Sequence, residues 1–141
     1  MAKRHVFVSF DFENDRHYKY LLDAWDANPD FDFTFADETP SEINTNNIGL
    51  IKGALSSKIG DATHTLVIVG REANKWHRHS ALIGYRNWIN FEIAKSKEYG
   101  NKLVAVKIDR TYESPEELRD AGASWAMAFN QDAILRALRD A

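Results

Sequence analysis

Thr63-His64-Thr65-Leu66-Val67-Ile68-Val69 is an unbroken run of β-branched and aliphatic residues closed by Gly70. It has the length of a strand, and its lack of alternation requires burial on both faces, as in the centre of a parallel sheet. Just before it, Ile48, Ile51, Leu55 and Ile59 recur at helical spacing up to Gly60, and after it Leu103-Val104-Ala105-Val106-Lys107-Ile108 repeats the strand pattern. Working outward, His5-Val6-Phe7-Val8-Ser9-Phe10 reads as a first buried strand. A helix follows with Tyr18, Leu21, Leu22 and Trp25 on its buried face, ended by Asn28-Pro29. Phe31-Asp32-Phe33-Thr34-Phe35 alternates, as an edge strand with one wet face should. A third helix is expected from Asn87 to Tyr99, closed by Gly100. Beyond the fourth strand, Ser114-Pro115-Glu116-Glu117 reads as a helix start, Ser124–Phe129 as a fifth strand, and Asn130 as the cap of a last helix carrying Ile134, Leu135 and Leu138.

Strands alternating with amphipathic helices specify an α/β fold with crossover connections. Five strands at this length imply a doubly wound parallel sheet of flavodoxin-like order 2-1-3-4-5. Ligands of such sheets bind beyond the carboxyl ends of the strands, near the point where strand order reverses. That rule gathers Ser9–Asp11, the polar loop from Ala36 to Asn47 and the long basic and aromatic loop from Gly70 to Arg86 around one crevice, with both loops more mobile than the sheet.

The 141 residues suit one domain, 1–141, and the 44% apolar and 28% charged residues are a globular balance. With no cysteine there is neither a disulfide framework nor a thiolate nucleophile, which fits a cytoplasmic location. The apolar run Val6–Phe10 meets Asp11 too soon for a leader or a membrane span, and the net charge of −3 disfavours nucleic acid and anionic membranes as partners.

Familiar sites are excluded by motif. No GxGxxG follows the first strand, no GxxxxGK[ST] occurs, and the third strand ends in Gly70-Arg71 where a phosphoacceptor would need aspartate. His77-x-His79 has no third ligand spaced to complete a metal site, and His64, inside a strand, reads as a core residue. The helix Trp88-Ile89-Asn90-Phe91-Glu92-Ile93 is more informative, because Trp88 and Glu92, four apart, share a face that opens on the crevice. On spacing alone Glu92 is also explained as a solvated helix residue paired with Lys95 or Lys97.

The segments His5-Val6-Phe7-Val8-Ser9-Phe10-Asp11, Ala54-Leu55-Ser56-Ser57-Lys58-Ile59, Thr65–Gly70 and Trp88–Ala94, followed by Lys102–Val106, together resemble the TIR-like domain of the Thoeris ThsB group. The most specific part is the Trp-x-x-x-Glu-Ile helix after a Val-Gly strand end. The resemblance implies cleavage of NAD⁺ as substrate, with no further cofactor, by a nucleosidase or ADP-ribosyl cyclase in antiphage signalling. It places the catalytic glutamate on Glu92. It also implies contacts between copies of the chain, and a separate effector protein that senses the product, since no effector domain is seen in this chain. The family's connection from Val-Gly to Trp is short, whereas this chain inserts the longer segment ending at Arg86.

Beside Glu92, the substrate-binding candidates are Ser9, Phe10 and Asp11 at the end of the first strand, Asp37 in the second loop, and Trp76, Arg86 and Trp88 around the third. Phe10 suits stacking on nicotinamide or the core, Asp11 ordering of its loop, and the aromatic and basic residues a stacking face and diphosphate contacts. Two other readings share the fold: a non-catalytic TIR-like interaction domain, and a nucleoside N-ribosyltransferase that also uses a carboxylate.

Overall fold

A computed structural model describes residues 3–29, 31–36 and 45–141. Its sheet contains β1 (Arg4–Ser9), β2 (Phe33–Ala36), β3 (His64–Val69), β4 (Lys102–Lys107) and β5 (Ser124–Ala126), all parallel, in the order β2-β1-β3-β4-β5. The helices are α1 (Phe12–Asp26), α2 (Ile48–Gly60), α3 (Ser80–Ile83), α4 (Trp88–Tyr99) and α5 (Gln131–Asp140). The flavodoxin-like order expected from the alternation is therefore the one observed.

Every residue of β3 is buried, and its side chains alternate between two cores. Leu66 and Ile68 pack with Leu22 of α1 and Ile134 and Leu138 of α5. Val67 and Val69 pack with Ile89 and Ile93 of α4 on the other face, where Phe7 of β1 meets Ile51, Leu55 and Ile59 of α2. Each fully buried aliphatic side chain contributes roughly 1.5–3 kcal/mol, so the two-sided burial of β3 anchors the sheet. His64 is 2% exposed, stands edge-on to Phe33 and has its pKa lowered by burial and by Lys102 and Arg4. It is the core histidine that its place in the strand suggests.

Asparagine or aspartate caps four helices. Asp11 accepts from the Glu13 N–H, Asn47 from Leu50, Asn87 from Asn90 and Asn130 from Ala133. Gly100 ends α4 at φ 75°, a left-handed conformation that glycine adopts without strain.

Four expectations need correction. The β5 strand is three residues long, because the chain beyond Ala126 turns directly to the Asn130 cap. The Pro115 region makes only a single 3₁₀ turn, Glu116–Leu118. The 70–86 connection is not wholly irregular, since it carries α3, closed by Gly84 at φ 85°. In α1, Tyr18, Leu22 and Trp25 pack on the core as expected, but Leu21 is 46% exposed and Asp15 and Lys19 are buried beside Leu22.

Candidate functional site

The carboxyl ends of β1 and β3 open on a cleft of about 580 Å³ at the switch point of the sheet. Its walls come from the β1–α1 turn (Phe10 to Glu13), from Thr45, Asn46, Ile48 and Ile51, and from the β3–α4 connection. The described parts of both long loops thus border one cleft, as expected. The first turns of α1, α2 and α4 all meet there, and helix N-termini favour negative charge.

Glu92 does not line this cleft: it is only 3% exposed and lies one helical turn beyond Trp88, which does. It does not sit on a solvated face with Lys95 or Lys97: Lys95 pairs with Glu98, and Lys97 with Glu117. The Ser9 hydroxyl, fully buried at the end of β1, donates to Glu92 Oε1 at 2.6 Å. That length is typical of a hydroxyl bound to a carboxylate, and the bond ties α4 to β1 across the sheet end. Glu92 is therefore deeper than a helix face that opens on the crevice implies. The cleft wall itself shows Trp88, whose ring stands edge-on to Phe91 with centroids 5.6 Å apart.

The other candidates divide. Phe10 does both things considered for it, lining the cleft while 5% exposed in the core. Asp11 lines the cleft and orders its own turn, accepting from Asn14 Nδ2 at 2.7 Å and capping α1. Asp37 lies outside the described residues. Trp76 and Arg86 are absent from this cleft. The Arg86 Nε donates to the Asn74 carbonyl, its guanidinium lies 4.4 Å from the centre of the 66%-exposed Trp76 ring, and Arg86 lines a smaller cleft instead. The backbone of the connection turns these two side chains away from the larger cleft.

In their place the connection presents Lys75, His77, Arg78 and His79 to the larger cleft. Lys75 Nζ is 3.9 Å from Asp11 and 3.8 Å from Glu72. The His77 ring accepts the His79 backbone N–H at Nδ1 (2.9 Å), so a neutral His77 carries its proton on Nε2. Burial, then the charges of His79, Arg78 and Lys75, hold His77 below the usual histidine pKa. A run of four basic residues in five positions signals this wall in the sequence, although which of them turn inward is set by the loop backbone.

Two buried polar features carry no periodic signal. Asp15 is 6% exposed, its Oδ2 has no hydrogen-bond partner among the described residues, and burial followed by repulsion from Asp11 raises its pKa to about 6. Asn74, Asn87 and Asn90 form a buried cluster: Asn90 Nδ2 donates to both Asn74 Oδ1 and Asn87 Oδ1, and Asn87 Nδ2 donates to the carbonyls of Ala73 and Lys75. It fixes the β3–α4 connection onto the first turn of the helix that bears Glu92.

A doubly wound parallel sheet of order 2-1-3-4-5 defines an α/β domain of the flavodoxin-like class. The family described as Thoeris protein ThsB, TIR-like domain, matches residues 7–113, and the chain belongs to that family. Among solved structures, TIR domains of the activated Roq1 resistosome directly recognizing the pathogen effector XopQ are similar at 17% identity and a TM-score of 0.47. That match covers 74% of this chain and 57% of the other, so the chain spans little more than half the length of that relative. No curated protein matches the chain. Among the described residues, no helix is long and apolar enough to cross a membrane.

Proposed function

We propose that this chain cleaves NAD⁺ at the nicotinamide–ribose bond, with Glu92 as the catalytic residue, to make an ADP-ribose-type signal in Thoeris-like antiphage defence. The observation that carries the reading is the Ser9–Glu92 pair, a buried carboxylate held next to Phe10 and one helical turn from Trp88, both of which line a cleft large enough for a nucleotide. Nicotinamide in NAD⁺ is already a cationic leaving group, so it departs with the bonding electrons without needing a proton. The ribosyl carbon then gains oxocarbenium character, which a preorganised carboxylate stabilises. Attack by water gives linear ADP-ribose, and exclusion of water lets an atom of the same molecule close a ring.

The cleft chemistry supports the same reading. Its three helix N-termini with Lys75 and Arg78 suit a diphosphate, and Phe10 and Trp88 offer aromatic surface to the nicotinamide end. Entry of the ribose beside the Ser9–Glu92 bond brings the sugar to the carboxylate. Contacts between copies of the chain would complete or order the loops, and a separate effector protein would sense the product.

Mass spectrometry of NAD⁺ incubated with the purified protein, alone and with extract of phage-infected cells, tests this. Free nicotinamide with a linear or cyclic ADP-ribose is the expected result, with specific activity rising with protein concentration. A second reading, a non-catalytic interaction domain, is favoured by the burial of Glu92, which also serves to tie α4 to β1. Failure of every such preparation to release nicotinamide would select it.

A further inference from the structure

The buried asparagine cluster has a cleft on either side. Asn87 lines the larger one, and Asn74 lines a second, of about 400 Å³, at the β4–β5 end of the same sheet edge. The second cleft is lined by Arg86, Arg119 and Trp125 together with Glu113 and Glu116. Neither guanidinium makes an ion pair with a described carboxylate. Glu113 is engaged by Asn74 Nδ2 at 2.5 Å, and Arg86 is held through Nε by the Asn74 carbonyl, with one face on Trp76. Trp125, on the edge strand, is 40% exposed. Two guanidiniums without an ion pair among the described residues, beside a 40%-exposed indole whose ring centre lies 6.0 Å from Lys107 Nζ, are the pairing that recognises a phosphate ester carrying a planar ring.

We propose that this second cleft is a nucleotide-binding site, distinct from the larger cleft, and that its occupancy is coupled to α4 through the asparagine cluster. The wiring is direct. Asn74 Oδ1 accepts both from the Glu116 N–H (3.1 Å), on the second cleft, and from Asn90 Nδ2 (3.1 Å), in the helix that bears Glu92. Asn90 Oδ1 in turn accepts the Glu117 N–H at 2.9 Å. A ligand that draws Arg86 or the 113–119 segment toward itself must therefore adjust the bonds made by Asn90, in the first turn of α4. By linkage, a ligand of either cleft then alters the affinity of the other.

Amide NMR of the ¹⁵N-labelled full chain during titration with AMP tests this without any need for NAD⁺ turnover. AMP should give saturable shifts at the Trp125 indole N–H and Arg119, and at the side-chain amides of Asn74 and Asn90. Adenosine and inorganic phosphate, each supplying half of the chemistry, should bind at least about tenfold more weakly. Arg119→Ala and Trp125→Ala, both at exposed positions, should each weaken AMP about tenfold while leaving the remaining spectrum in place. Shifts confined to residues of the larger cleft, or equal AMP affinity in both variants, would overturn the site. Saturation at Trp125 with unmoved Asn74 and Asn90 amides would overturn the coupling.

Discussion

That Trp88 and Glu92 share one helix was legible from their spacing of four, and the choice of Glu92 as the catalytic candidate came from the resemblance of that helix to the Thoeris ThsB group. The depth of Glu92 was not legible, because a helix period says which residues share a face but not which strand end that face meets. Ser9 was named for contact with a ligand and is found instead as the donor to Glu92. That makes it a positioning residue in the proposed reaction. Ser9→Ala should lower kcat for nicotinamide release about tenfold or more with little change in KM, read by steady-state kinetics, because the base of the site loses orientation rather than binding surface. It should also cost about 1–3 kcal/mol of stability, since a buried acceptor loses its donor. Asp15 could not be found by pattern at all, being a charge on a helix face that the sequence assigned to apolar residues. Its folded-state pKa of about 6 exceeds the ordinary 3.8, so the folded state holds the extra proton between those values. Stability from this group is thus present at low pH and lost as pH rises through about 4 to about 6, by roughly 3 kcal/mol in all. Asp15→Asn should gain stability relative to wild type across that window and hold the gain above it, as measured by urea unfolding at a series of pH values. A difference that does not change with pH would contradict the assigned burial.

At the scale of elements, the strongly periodic segments were read correctly and the short ones were not. β3, α2 and α4 have enough residues for burial to leave its mark on the sequence. The three-residue β5, the 3₁₀ turn at Glu116–Leu118 and the four-residue α3 are set by tertiary contacts and turns. On α1, Leu22, Tyr18 and Trp25 meet the core as expected, while Leu21 is exposed and Asp15 and Lys19 are buried in addition. The first turns of α1 lean on Gly70, where the absence of a side chain admits Asp15: a Cβ at Gly70 would lie 2.0 Å from Asp15 Oδ2. Gly70→Ala should therefore destabilise the fold by about 1–3 kcal/mol, through displacement of α1 from the end of β3. The same substitution in an Asp15→Ala background should cost markedly less, so a double-mutant cycle by chemical denaturation should show coupling of at least about 0.5 kcal/mol. Additive effects would show that the two residues do not compete for that space. The asparagine cluster, built on Asn87 and Asn90 three apart at a helix start, is visible in sequence only as a cap. Asn74 joins it through the fold.

For the whole molecule, the order of the sheet was available from the alternation of elements, and with it the end of the sheet at which a ligand binds. What the alternation did not specify was how the inserted 70–86 connection would distribute its side chains. It divides them, turning Lys75, His77, Arg78 and His79 toward the larger cleft and Arg86 toward the smaller. The central claim is that the buried carboxylate of Glu92 breaks the nicotinamide–ribose bond. It is tested most directly by chromatographic measurement of nicotinamide released from NAD⁺ by wild type and by Glu92→Gln, in a preparation where wild type is active. Gln keeps an acceptor oxygen for the Ser9 hydroxyl, so the variant should retain the wild-type circular dichroism while losing the negative charge that faces the ribosyl cation. The expected result is a fall in rate of about 10²–10³ or more with the fold intact. Wild-type turnover in a folded Glu92→Gln protein would contradict the account.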